Sequence, residues 1–269
     1  MQVVRELPES VLASVLRASA TPLPVQLSLI PEECYQLVVH ATFPSIVADR
    51  SISLECRHLG DAGIAAVWPC LREITSLQLR GASDSFTTLG SRLSSLTSLQ
   101  HLDLSLNRLG SGCVSALGPH LTKLTSLQHL DLSWNRPGSE SVAALGPHLA
   151  TVTSLQHLDL SFTRFGAEGA VALGPHLATL TALQHLGLRD NELGAEGAKA
   201  LGPHLAKLSS LQYVDLAWNG VGTEGACALG PHLAKLKSLQ HVCIGPSGLS
   251  LEGKEFLRRT LSEVAYLKL

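Results

Sequence analysis

Three successive segments of this 269-residue chain bring histidine, aspartate and serine to alternate positions: His101, Asp103 and Ser105, then His129, Asp131 and Ser133, then His157, Asp159 and Ser161. These are the residue types of a nucleophile, its base and the carboxylate that orients the base, so acyl transfer is the first chemistry to test. In an extended strand, residues two apart stand about 6.6–7 Å from one another, beyond a nucleophile-to-base hydrogen bond. The flanking sequence shows no strained elbow and no evident oxyanion hole. Imidazoles on neighbouring strands could instead chelate a divalent metal, but alternating histidine and aspartate more simply make a hydrated, hydrogen-bonding surface. The sequence therefore indicates no catalytic residue, no metal ligand set and no cofactor. A second series, His120, His148, His176, His204 and His232, follows Gly-Pro each time and reads as solvated helix surface.

What positions these residues is a period of 28. The block LQHLDLSLNRLG beginning at Leu99 returns at Leu127, Leu155, Leu183, Leu211 and, degraded, Leu239. Leu102 and Leu104 stand two apart and share one face of a strand, leaving His101, Asp103 and Ser105 on the other. Beyond the strand, Ala170, Leu173 and Leu177 recur at helical spacing, which places a helix behind the sheet with its apolar stripe inward. Gly110, Gly138, Gly166, Gly194 and Gly222 sit where strand turns to helix and accept a positive φ there. Pro119, Pro147, Pro175, Pro203 and Pro231 fall inside the helical segment, so a kinked helix or two short turns are expected, with the break on the outer surface.

Upstream, Ile74, Leu77 and Leu79, and before them Ile52, Leu54 and Leu59, keep the pattern in two shorter coils of 25 residues, with strands near 51–55 and 76–80. Residues 49–266 thus divide into two 25-residue and six 28-residue coils, the last acting as a C-terminal cap through a charged helix bearing Lys254, Glu255, Arg258, Arg259 and Glu263. Leu267 and Leu269 fall where a ninth strand would begin. Residues 1–48 are expected to cap the N-terminal end, with an amphipathic helix over 7–18, and the stretch around Leu27 and Leu29 can be read as one degenerate coil.

The motif L-x-x-L-x-L-x-x-N-x-L, as in Leu99, Leu102, Leu104, Asn107 and Leu109, resembles the leucine-rich repeat, and residues 49–266 resemble its intracellular, ribonuclease-inhibitor-like class. The wording LTSLQHLDLS with LGxEGAxALGPHL is also similar to repeats of kinetoplastid families. The resemblance implies an α/β solenoid, a horseshoe with a parallel β-sheet on its concave face and short kinked helices on its convex face, and it implies protein binding. Asn107, Asn135, Asn191 and Asn219 hold the place where such repeats close their loops. Thr163, Arg57 and Ala82 replace Asn elsewhere, and those coils are expected to be looser.

The net charge of -2 is spread without a block of one sign, which disfavours nucleic acid and anionic membranes as partners. No stretch approaches the roughly 18 apolar residues of a membrane span. Six scattered cysteines, with no close cluster, fit a reducing cytosol or nucleus. The expected partner is a protein, with no small-molecule substrate. The candidate surface joins His101, His129, His157, His185 and Tyr213 at repeat position three to Asp103, Asp131, Asp159 and Asp215 at position five, with Arg189 beside them. At its rim lie Trp134, Phe162 and Trp218 at position eight and Arg136 and Arg164 at position ten, where the repeats differ most and the residue types are those that dominate binding energy. Stacked histidines about 5 Å apart should add positive charge to this face as pH falls toward 5. Two other functions are consistent with the sequence: a ubiquitin-ligase adaptor, since LPESVLASVL resembles the opening of an F-box, and a small-GTPase regulator.

Overall fold

The Leu-x-Leu pair of each repeat folds as its alternation requires. The computed structural model describes residues 50–55, 68–82 and 86–269. Among these, nine parallel strands form one sheet in chain order: β1 (Ser51–Glu55), β2 (Ser76–Arg80), β3 (His101–Asp103), β4 (His129–Asp131), β5 (His157–Asp159), β6 (His185–Gly187), β7 (Tyr213–Asp215), β8 (His241–Cys243) and β9 (Tyr266–Lys268). Equivalent residues pair across neighbouring coils, as His101 with His129, Leu102 with Leu130 and Asp103 with Asp131. Tyr266 pairs with His241, so the sheet continues through residues 266–268. The expected N-terminal helix, the coil around Leu27 and Leu29, the F-box-like segment and Arg57 lie outside the described residues.

Behind the sheet run α1 (Phe86–Leu93), α2 (Ser111–Leu121), α3 (Ser139–Leu149), α4 (Gly166–Leu177), α5 (Gly194–Leu205), α6 (Gly222–Leu233) and α7 (Leu251–Thr260). Between the layers lies one core. Leu99, Leu102, Leu104 and Leu109 meet Val114, Leu117 and Leu121 there, all buried. Seven such side chains at about 1.5–3 kcal/mol each fall short of the ordering cost of about 1–2 kcal/mol per residue over a coil. Stacking on the next coil is therefore obligatory.

The prolines do not split the helices. Each helix runs as a single α-helix through its proline, with Pro119 two residues before the end of α2 and Pro147 two before the end of α3. All five prolines are exposed. The missing N–H at Pro119 would have met the Ser115 carbonyl, and with the proline on the exposed outer side of the helix that lost hydrogen bond falls on the solvent side, where water can take it up. The turn glycines behave as expected at Gly138, Gly166, Gly194 and Gly222, all at positive φ, but Gly110 adopts φ -72.

The convex histidines are not solvated surface; they are half-buried spacers between helices. Each ring seats on the glycine of the preceding coil: a Cβ added at Gly118 would stand 2.3 Å from His148 Cδ2 and 2.9 Å from its Cγ. Gly146 with His176, Gly174 with His204 and Gly202 with His232 repeat the fit. Gly118→Ala should cost about 1–3 kcal/mol in overpacking against a helix-propensity gain of about 1 kcal/mol, a net loss of about 1 kcal/mol by urea unfolding. In a His148→Ala background the same substitution should become stabilising. A loss in both backgrounds would show that the ring does not set the spacing.

Candidate functional site

The inner face of the sheet is built from positions three and five, which the strands turn away from the leucine core. Position three forms one file of rings. His129 and His157 stack at 3.7 Å between centroids, His157 and His185 at 4.1 Å, and His185 and Tyr213 at 4.1 Å, all nearly parallel. His101 at one end, and His241 and Tyr266 at the other, continue the file in tilted contact. Face-to-face imidazoles point their ring nitrogens side by side, a geometry in which lone pairs do not converge on one cation.

Stacking also settles the charge of the file. Burial, reinforced by His185 and His129, lowers the His157 pKa to about 3. Burial lowers His129 and His185 as well, in His185 against the pull of Asp159 and Asp215. His157, at the centre of the file, therefore stays neutral at pH 5, and burial works against positive charge at His129 and His185 as well. Burial pushes the Tyr213 hydroxyl up to about 12, helped by Asp215 and Cys243.

The sign for stability follows by linkage. The unfolded chain takes up a proton at His157 near pH 6.5 while the folded chain does not until about pH 3, so stability falls as pH drops through that window. Allowing for solvent around a half-buried ring, the loss from His157 at pH 5 is about 1 kcal/mol. Asp131, raised by its burial, opposes this in the acid part of the window. Urea unfolding of the wild type and of His157→Gln at pH 7 and pH 5 checks it: the variant should lose less on acidification, and equal losses would clear the file of responsibility.

Position five gives the carboxylates. Each turns one oxygen back onto the chain: Asp131 Oδ1 accepts from the Ser133 N–H at 2.8 Å, Asp159 Oδ1 from Ser161 at 2.8 Å, and Asp215 Oδ1 from Ala217 at 2.9 Å. With the matching Asp103 contact to the Ser105 N–H, this fixes the exit from β3, β4, β5 and β7. Asp103 takes more: Gln78 Nε2 donates at 2.6 Å, Ser105 Oγ at 2.7 Å, and Arg80 pairs at 3.1 Å. These contacts outweigh burial and hold its pKa below the usual carboxylate value. The Ser105 contact corrects the simple strand argument, because the chain turns after Asp103 and brings the hydroxyl onto the carboxylate. The imidazoles meet one another instead, so the three residue types are not arranged as nucleophile, base and orienter. Ser53, Gln78, Asp103 and His101 line an open depression of about 370 Å³ over β1–β3.

Two features break the ladder. Gly187 stands where an aspartate is expected, and Asp159 leans over it, its Oδ1 2.5 Å from where a Cβ would sit. Arg189, two residues on, reaches Asp215 at 3.8 Å.

The rim holds what sequence reasoning missed. Leu106, Trp134, Phe162, Asp190 and Trp218 at position eight, and Arg108, Arg136, Arg164 and Glu192 at position ten, all have φ between 50 and 62. Left-handed backbone at a non-glycine residue costs about 1 kcal/mol or more. It persists because the position-eight N–H reaches the next coil, as Trp134 to the Ser161 carbonyl at 2.9 Å and Phe162 to that of Arg189 at 2.8 Å. Gly220 and Gly248 at position ten carried the one sequence signal for this conformation. The turn lifts the side chains outward: Leu106 is 59%, Trp134 44% and Trp218 54% exposed. Trp134 stacks on Phe162 at 3.7 Å, and Arg164 pairs with Glu192 at 3.5 Å. The structure thus gathers Trp134, Phe162, Arg136 and Arg164 on adjacent coils and sets Trp218 two coils beyond Phe162.

Comparison with known protein families agrees with the repeat. The Leucine Rich repeat family profile matches residues 95–118, 120–146, 153–174, 179–202 and 207–230. No curated protein matches the chain. Among solved structures, the tropomodulin C-terminal domain of Caenorhabditis elegans is similar at 12% identity, with a TM-score of 0.43 over 66% of this chain and 92% of that one. No helix among the described residues is long and apolar enough to cross a membrane.

Proposed function

Because this chain is a leucine-rich-repeat solenoid, we propose that it is a non-catalytic scaffold that holds a protein partner against its concave sheet face. The observation that carries this reading is the face itself. Seven rings from His101 to Tyr266 stand in continuous contact beside a row of carboxylates locked by backbone N–H groups. Such a surface is ordered before a partner arrives and loses little entropy on binding. Trp134, Phe162, Tyr213 and Trp218 are the anchors, flanked by Arg136, Arg164 and Arg189, and the aspartate row sets the polarity of what approaches. One helix to each 28-residue coil also supports the ribonuclease-inhibitor-like class, the scattered single cysteines support a cytoplasmic or nuclear location, and the sparse charge supports a protein as the partner.

The test separates the two faces of the solenoid. A partner recovered by affinity purification should lose at least tenfold in affinity, about 1.4 kcal/mol, toward Asp131→Lys/Asp159→Lys. It should be indifferent to Lys199→Glu on the convex side, where Lys199 bridges Glu196 and Glu224. The reverse pattern would move the binding face to the helices.

A further inference from the structure

The rim of the solenoid carries two parallel stripes on the same three coils. Leu106, Trp134 and Phe162 make an apolar shelf, with Leu106 and Trp134 exposed and the Trp134 ring stacked on that of Phe162. Two residues further along each coil, Arg108, Arg136 and Arg164 make a basic stripe, all three exposed. Among the described residues, Arg108 and Arg136 face no carboxylate within ion-pair distance, and Arg164 meets Glu192 at 3.5 Å with both side chains more than half exposed. All six residues hold left-handed backbone, so both stripes are presented in a fixed direction by a conformation that is costly for these residue types.

The coils pair one strand to the next, which sets the stripes at a repeat of about 4.8 Å. A partner that matches this repeat needs a recurrence of about the same length. Successive turns of an α-helix advance about 5.4 Å, and its residues at i, i+4 and i+7 lie on one side. An extended segment advances about 6.6–7 Å between same-side residues and falls out of step by the third coil. Charge complementarity to the arginines requires carboxylates on the matching stripe, and the shelf requires an apolar stripe beside them.

We infer that the rim over Leu106–Arg164 binds an amphipathic helix of the protein partner, lying across the coils with an acidic stripe on the arginines and an apolar stripe on the Leu106–Trp134–Phe162 shelf. This rests on the concave-face reading and specifies the chemistry of what docks there. The neighbouring Asp131 and Asp159 repel a second acidic stripe on the inner side, which fixes which way the helix is rotated.

The experiment uses the full chain and a side-chain-stapled, alanine-based helical peptide with one glutamate stripe and one adjacent leucine stripe. Binding is followed by the fluorescence of the rim tryptophans. The glutamate helix should bind, and a version with lysine for glutamate should bind at least tenfold more weakly. An unstapled version interrupted by proline should also bind at least tenfold more weakly. Arg108→Glu/Arg136→Glu should abolish the preference for glutamate without changing the thermal unfolding of the chain. Equal binding of the lysine and glutamate helices, or full binding of the proline-interrupted peptide, would overturn the inference. So would a cellular partner that is lost on Asp131→Lys/Asp159→Lys but retained by Arg108→Glu/Arg136→Glu; that result would leave the concave-face reading standing.

Discussion

Replacing Asn191 by alanine should lower the unfolding free energy by about 3–4 kcal/mol, more than removal of any one exposed side chain of the rim. Asn191 is fully buried and ties two coils together. Its Oδ1 accepts from the Thr163 N–H at 3.0 Å and the Arg164 N–H at 2.9 Å, while its Nδ2 donates to the Leu160 carbonyl at 2.8 Å and to that of Leu188 at 3.0 Å. Alanine strands three backbone groups, the Thr163 and Arg164 N–H and the Leu188 carbonyl, while the Leu160 carbonyl keeps the Thr163 hydroxyl. Each stranded group costs about 1–3 kcal/mol when buried without a partner, with some relief from water entering the space. In a solenoid such a loss is local, because each coil contacts only its neighbours. Native-state hydrogen exchange should therefore speed most in β5 and β6, alongside a lower urea midpoint. A loss below about 1 kcal/mol would mean that the asparagine ladder does not hold the coils together.

The same ladder shows what a missing asparagine costs. Asn135 Nδ2 bridges the Leu104 and Leu132 carbonyls, and Asn219 Nδ2 bridges those of Leu188 and Leu216. Thr163 reaches the Leu160 carbonyl of its own coil at 2.7 Å and meets Asn191 Oδ1 at 2.8 Å, but it is too short to bridge back to Leu132. Thr163 thus restores part of the closure that its departure from the repeat pattern put in doubt. What it lacks are two bonds back to the preceding coil, a donor for the Leu132 carbonyl and an acceptor for the Asn135 N–H, which Asn135 itself supplies one coil earlier; each is worth about 1 kcal/mol.

The parts of the molecule legible in its sequence are those governed by a local period. Leu102 and Leu104 two apart dictated a strand, and Ala170, Leu173 and Leu177 dictated a helix, because side-chain direction follows from backbone geometry alone. What escaped reading depends on the neighbouring coil. The left-handed turn at Trp134 and Arg136 has no signal in those residue types; it exists because the Trp134 N–H finds the Ser161 carbonyl 27 residues away. The seat of His148 on Gly118 is likewise invisible within one repeat, though both residues recur in every copy. The histidine file was legible as a row but not as a stack. Ring contact at 3.7–4.1 Å is closer than the strand spacing, and burial within that stack is what holds the His157 pKa down to about 3.

Trp134→Ala should weaken binding of the recovered partner by about 2–4 kcal/mol, on the order of 30-fold to 1,000-fold, while costing the fold no more than about 1.5 kcal/mol. The two numbers belong together, because Trp134 has two possible employments. As a cover over the ascending loop it would act mainly through its stack with Phe162, and its loss would appear in unfolding and not in binding. As an anchor it would act through the 44% of its surface that the fold leaves bare. The left-handed turn at φ 62 serves either employment, because the same turn recurs at Leu106 and Asp190 to carry the hydrogen bond to the next coil. Trp218, 54% exposed at φ 61 with glycine at position ten and no arginine beside it, provides the comparison. If exposure alone makes an anchor, Trp218→Ala should match Trp134→Ala in partner affinity. If the neighbouring arginines matter, Trp134→Ala should cost at least tenfold more. Isothermal titration of both variants decides between these, and a Trp134→Ala protein that binds as the wild type does would leave the indole a structural cover.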